Sequence, residues 1–345
     1  MKTRIRTTLL AATALGAVAL AAPGAEAQDM TLRLGDSFPV GHYIPENMTK
    51  PWMERVTELT GGKVAFEYYP AEQLGKAKDL LDLTLSGVMD VGYVGPSYVS
   101  DKLPLSSVAE LPESFTSSCH GTKALWEIAR PGGALDQLEF APNDVRALLV
   151  LVLPAYQVMT ANAPITDLAS LANLKIRTTG GAKEIGTVKI GGVPVQIAAP
   201  ETRDALSRGT IDAILFPHSS VLPYDLHPLL KYGTQGVNFG SFVVTYLISQ
   251  DRWDALPGDV QDAFTTAAEE AIAAGCAAAD ELDLKDKQTI ADSGVTFVSL
   301  PAGDEERLLS LMQEVSGEWA AELDGRGRPG TEVLEAFRAA LETTE

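Results

Sequence analysis

Short apolar runs and longer stretches of helical periodicity alternate along this chain. Residues 31–35 read as a strand leaving through Gly35, and 64–70 as a second strand stopped by Pro70. Between them Met48, Trp52, Val56 and Leu59 recur at helical spacing, and Thr60-Gly61-Gly62 supplies a glycine stop. A helix over 77–87, a strand over 89–94, a helical segment around 125–128 and a buried strand over 144–153 follow, the last closed by Pro154. This alternation predicts an α/β layer with a mainly parallel sheet.

The same grammar restarts after Pro154. Strands are expected over 157–161, 174–178, 193–197 and 211–216, with helices over 182–190 and 201–208 between them. One long apolar strand is expected over 242–249. Beyond it the chain turns helical over 259–279, 282–291, 305–323 and 331–343, broken by a short strand over 295–300. The pattern predicts an α/β protein of two lobes, each a mixed sheet flanked by helices, with long connecting helices near the C-terminus. No flexible linker separates the halves, so a shared cleft is expected at the carboxyl ends of the strands. The expected division is 28–154 with about 243–282 for the first lobe, and 155–242 with about 283–345 for the second.

The N-terminus changes the picture. Lys2, Arg4 and Arg6 precede an uncharged apolar stretch and then Ala25-Glu26-Ala27. This reads as a secretory signal over residues 1–27, cleaved after Ala27. The apolar stretch falls short of the roughly 20 residues of a membrane span, so no direct membrane insertion is expected. The formal net charge is −19, and removing that leader leaves about −21. Such a surface repels nucleic acid and anionic lipid. Cys119 and Cys276 are the only cysteines. An exported protein can pair them, but sequence leaves open whether their Cα atoms come within bridging distance.

Catalytic motifs are missing. There is no G-x-S-x-G elbow, no phosphate-cradling loop and no G-x-G-x-x-G opening a helix. His42, His120, His218 and His227 show no metal-binding spacing with a carboxylate. No metal and no cofactor are expected.

An ordered set of short motifs carries more. Gly61-Gly62-Lys63-Val64 leads to Tyr69-Pro70-Ala71-Glu72-Gln73-Leu74-Gly75, then to 87–94, then to Glu110-Leu111-Pro112. Leu174-Lys175-Ile176-Arg177, Gly191-Gly192-Val193-Pro194-Val195, Gly209-Thr210-Ile211-Asp212-Ala213 and Trp253-Asp254-Ala255-Leu256-Pro257 follow. In this order the set resembles the solute receptors of tripartite ATP-independent periplasmic (TRAP) transporters, over nearly all of the chain after residue 27. The resemblance implies a type II-like periplasmic binding protein that closes two lobes over a small carboxylate. It also implies a periplasmic location and, as partners, the integral membrane subunits of a TRAP transporter. Arg177 matches the family arginine that clamps the ligand carboxylate. A guanidinium suits that role because its planar fork of donors fits both carboxylate oxygens and keeps its charge.

The sialic-acid branch of the family has further polar readers, and here they are largely replaced. Gln157 stands for a second arginine and Phe216 for an asparagine before Pro217. Ser37, Gly95 and Ala77 stand for other polar or acidic positions. The clamp thus remains while readers of hydroxyl groups give way. Phe216, Phe239 and Tyr93 are expected to line an apolar wall, and His42 to hydrogen-bond a ligand oxygen. The expected ligand is a monocarboxylate with an apolar or aromatic body. Two other readings stay open: a periplasmic lyase or hydrolase acting on an organic acid, or the binding subunit of a sensor or ATP-driven importer.

Overall fold

The computed structural model describes residues 30–344 apart from Ser114 and Thr116; the expected signal segment lies outside them. The first sheet contains β1 (Met30–Gly35), β2 (Val64–Tyr69), β3 (Val91–Val94), β4 (Val145–Val152) and β10 (Val243–Ser249), in the order β2-β1-β3-β10-β4. The second contains β5 (Gln157–Thr160), β6 (Lys175–Thr178), β7 (Val193–Gln196), β8 (Ala213–Phe216), β9 (Tyr232–Thr234) and β11 (Thr296–Val298), in the order β11-β9-β5-β8-β6-β7. β1 pairs in parallel with β2 and β3, whereas β10 runs antiparallel to β3 and β4. β5 is likewise antiparallel to β8 and β9 in a sheet whose other pairs are parallel. Both sheets are therefore mixed, and the molecule is a two-lobed α/β protein.

The helices are α1 (Lys50–Leu59), α2 (Leu80–Leu85), α3 (Ser118–Ala129), α4 (Ala182–Lys189), α5 (Thr202–Ser207), α6 (His218–Val221), α7 (Gln250–Asp254), α8 (Gly258–Asp292), α9 (Ala302–Gly325) and α10 (Gly330–Thr343). α1 ends because Gly61 and Gly62 take φ of 62° and 85°, which lets the Gly62 N–H return to the Thr57 carbonyl. Its buried face carries Trp52, packed edge-on against Phe264 of α8 at 5.1 Å between centroids.

Three segments pass between the lobes. β4 runs through Leu153–Tyr156 into β5, and β9 runs through 235–242 into β10. These two crossings bond to each other, Leu153 N–H to the Phe242 carbonyl at 2.9 Å and Tyr156 N–H to the Gly240 carbonyl at 2.8 Å. The third is α8, which packs on α1, α3 and β4 of the first lobe and on α6 of the second. The two helical stretches expected over 259–279 and 282–291 form one unbroken helix of 35 residues. α9 packs on α4, and α10 turns back onto α3. Cys119 of α3 and Cys276 of α8 form a disulfide, with Cα atoms 4.7 Å apart. This resolves the pairing that sequence left open.

Candidate functional site

Arg177 sits on β6, in register with Ile214 of β8 and Val195 of β7. The central position buries it completely, at 0% exposure. Its Nε donates to the Ile197 carbonyl at 2.8 Å, Nη1 to the Leu215 carbonyl at 3.1 Å, and Nη2 reaches the Tyr98 hydroxyl at 3.4 Å. These contacts hold the fork and leave a second N–H on each terminal nitrogen. Among the described residues no carboxylate lies within ion-pair distance of it. A buried charge without an ionic partner is expensive, which makes Arg177 the candidate anion site.

An aromatic layer surrounds that charge. The guanidinium carbon lies 4.4 Å from the centroid of Phe216. Phe216 stacks with Tyr156 (6.1 Å, 14° between planes) and meets Tyr224 edge-on (6.0 Å). Tyr224 meets His42 at 5.5 Å, His42 meets Phe38 at 4.7 Å, and Phe38 meets Tyr93 at 4.7 Å. This continuous run of rings passes from the second lobe into the first between Tyr224 and His42. Burial raises the hydroxyl pKa of Tyr93, Tyr156 and Tyr224 well above the ordinary value; the neighbouring Tyr98 raises each further, while Arg177 opposes the rise at Tyr156 and Tyr224. They remain neutral donors.

His42 is similarly held neutral, its pKa pushed down to about 3 by burial. Its Nδ1 accepts from the Ile44 N–H at 3.2 Å. The ring proton therefore sits on Nε2, which is buried and has no hydrogen-bond partner within the protein. Nearby, Asp36 accepts from the Tyr68 and Tyr246 hydroxyls at 2.7 and 3.1 Å and from the Phe38 N–H at 3.1 Å. Burial nonetheless raises its pKa to about 6.

A second buried cation completes the region. Lys183, on the first turn of α4, donates to Glu110 of the first lobe and to the Ser241 carbonyl at 2.7 Å. Both side chains of this ion pair are essentially unexposed. The other oxygen of Glu110 accepts from Ser97 Oγ at 3.0 Å and from the Val243 N–H at 3.3 Å. Ser97 Oγ also lies 3.0 Å from Thr179 Oγ1 of the second lobe. Gly240, at φ 97°, is required beside this pair because a Cβ there would stand 2.5 Å from the Glu110 carbonyl oxygen.

The arrangement offers donors, apolar faces and one positive charge without an acidic partner among the described residues. Residues 35–322 match the sequence profile of the bacterial extracellular solute-binding protein family 7. The chain belongs to that family. As a TRAP-type receptor it is 26% identical over 347 residues to the C4-dicarboxylate-binding periplasmic protein DctP of Rhodobacter capsulatus, covering 98% of each chain. A TRAP solute-binding protein from Rhodoferax ferrireducens, solved with copurified benzoate, superposes with a TM-score of 0.84. The two are 25% identical, and the match covers 91% of this chain and 98% of that one. A Bordetella bronchiseptica TRAP protein solved with (R)- and (S)-mandelate superposes with a TM-score of 0.82 at 22% identity, over 92% of this chain and all of that one.

Four of the residues singled out from the receptor's sequence lie together. Arg177, Phe216, Tyr93 and His42 are all buried along the run of rings. Gln157 shares a register position with Phe216, but its amide is committed to the Val237 carbonyl (2.6 Å) and the Thr234 hydroxyl (2.9 Å). These bonds tie β5 to β9 and to the segment that follows it, and leave one amide N–H over. Phe239 lies on the crossing segment 235–242 and packs in the main core, outside the ring contacts described above. Ser37 is buried beside Asp36. Sequence reasoning passed over Tyr98, Tyr156, Tyr224 and Lys183. Glu110 was quoted as part of a motif without a role. Tyr156 had one available signal, its place directly after Pro154-Ala155 where one half of the pattern gives way to the next.

Proposed function

We propose that this protein is a periplasmic receptor that closes over a monocarboxylate with an aromatic or compact apolar body and delivers it to the membrane subunits of a TRAP transporter. The observation that carries this reading is Arg177, fully buried, without an acidic partner, and stacked on Phe216. A carboxylate supplies the missing charge, and the rings of Phe216, Tyr156 and Tyr224 enclose a flat body. His42 Nε2–H and the tyrosine hydroxyls serve ligand oxygens. The benzoate and mandelate held by the two structural relatives are acids of this kind.

The reading includes export through the signal at residues 1–27 and binding without turnover. It also includes the division into lobes at the crossing segments, with α10 tying the end of the chain back to α3. Mass spectrometry of small molecules released from the purified protein tests it. Aromatic or compact apolar monocarboxylates are expected; recovery of only polyhydroxylated sugar acids, or conversion of the bound acid on incubation, would refute it.

A further inference from the structure

Two buried cations share one aromatic stack. Arg177 lies over Phe216, Phe216 stacks on Tyr156, and Lys183 Nζ lies 5.6 Å from the Tyr156 centroid and 5.7 Å from that of Phe242. Among the described residues only one of the two has an acidic partner: Glu110 pairs with Lys183, whereas Arg177 meets two carbonyls and a hydroxyl. Glu110 is not placed by chance. Ser97 and the Val243 N–H hold its carboxylate, and the Ser241 N–H donates to its carbonyl at 3.0 Å.

We propose that Glu110 is a specificity-determining residue that restricts the ligand to a single carboxylate. It occupies the ammonium of Lys183 that a second ligand carboxylate would otherwise use. It also sets its own negative charge beside the place that second group would enter. Like charges brought together without water between them exclude a ligand more effectively than lost contacts do. Asp36, held by the Tyr68 and Tyr246 hydroxyls on the first-lobe side, adds to this exclusion. Without Glu110, Arg177 and Lys183 become two receptors for anions across a pair of stacked rings, the arrangement a dicarboxylate with a rigid body needs.

The inference rests on the monocarboxylate reading, and its test separates the two. Isophthalate and its monomethyl ester have nearly the same shape but carry two charges and one. Calorimetric titration of both into the wild-type protein should favour the ester by about tenfold or more. Glu110→Gln should reverse the preference, and adding Lys183→Met to it should restore the preference for the ester. Equal binding of both probes by the wild-type protein overturns the inference, as does an unchanged ratio in Glu110→Gln, failure of the ester to bind the wild-type protein, or failure of isophthalate to bind Glu110→Gln. If Glu110→Gln does not fold, the wild-type ratio alone decides. Benzoate titrated alongside reports on the underlying reading. A wild-type protein that binds benzoate but does not discriminate between the probes defeats only this inference, whereas one that binds no aromatic monocarboxylate defeats the proposed function.

Discussion

Asp280 and Asp283 lie one turn apart on α8 and hold different lobes. Asp280 accepts from the Ser118 and Cys119 N–H groups at the start of α3, at 2.6 and 3.1 Å. Asp283 accepts from the Ser219 N–H at 2.9 Å and lies 3.0 Å from His218 Nδ1. Helix starts leave N–H groups without intrahelical partners, and a carboxylate satisfies them while complementing the helix dipole. α8 therefore grips both lobes within one turn, next to the segment that follows Phe216.

The two aspartates should fail differently. Asp280→Ala should lower stability by about 0.5–2 kcal/mol, the usual cost of a lost cap, and leave ligand affinity within about twofold. Asp283→Ala should lower stability similarly and also weaken binding, because it frees 217–221 directly after Phe216. Thermal melts and titrations on both variants distinguish the effects.

The disulfide joins α3 to α8 across 157 residues of sequence. Closing so long a loop restricts the unfolded chain, and its loss should cost about 2–5 kcal/mol. Melting with and without reductant measures this. Because the bond lies within the first lobe, away from Arg177, the reduced protein should still bind its ligand below its melting temperature.

His42 makes stability depend on pH. Its folded-state pKa of about 3 lies below the ordinary value of about 6.5. Between those values the unfolded chain binds a proton that the native state refuses, so this residue destabilises the fold progressively as pH falls from about 6.5 toward 3. Asp36, raised to about 6, and Glu139, raised to about 7, act in the opposite sense over their own windows, losing stability as pH rises. The His42 contribution is isolated by comparison with His42→Asn, whose side-chain oxygen can accept from the residue 44 N–H. Denaturant melts at pH 7.5 and pH 4.5 should show the variant gaining on the wild-type protein at the lower pH. A constant difference would contradict it.

Phe216→Leu keeps an apolar group but removes the ring beneath Arg177. Affinity for benzoate should fall by about 0.5–1.5 kcal/mol more than affinity for an aliphatic acid such as isobutyrate, the margin that ring stacking adds to simple burial. Parallel titrations of both acids measure that margin.

The two sheets could be read from the chain because strand and helix periods differ and glycine or proline punctuates them, as at Gly61-Gly62 and Pro154. β9 escaped because Tyr232–Thr234 is three residues long and carries no alternation. Arg177 was legible through its motif. Lys183 was not, because a lysine on the first turn of a helix reads as a solvated side chain, and only the approach of Glu110, distant in sequence, buries it. Gln157 was placed through the resemblance, and its bond to Thr234 was hidden from the sequence because β9 is a strand the pattern did not reveal.

Isothermal titration of benzoate into the wild-type protein and Arg177→Ala bears most directly on the buried guanidinium. The wild-type protein should bind, and the variant should lose about 2–5 kcal/mol, the penalty for breaking a desolvated charge pair. Equal affinity of the two proteins for benzoate would contradict the account.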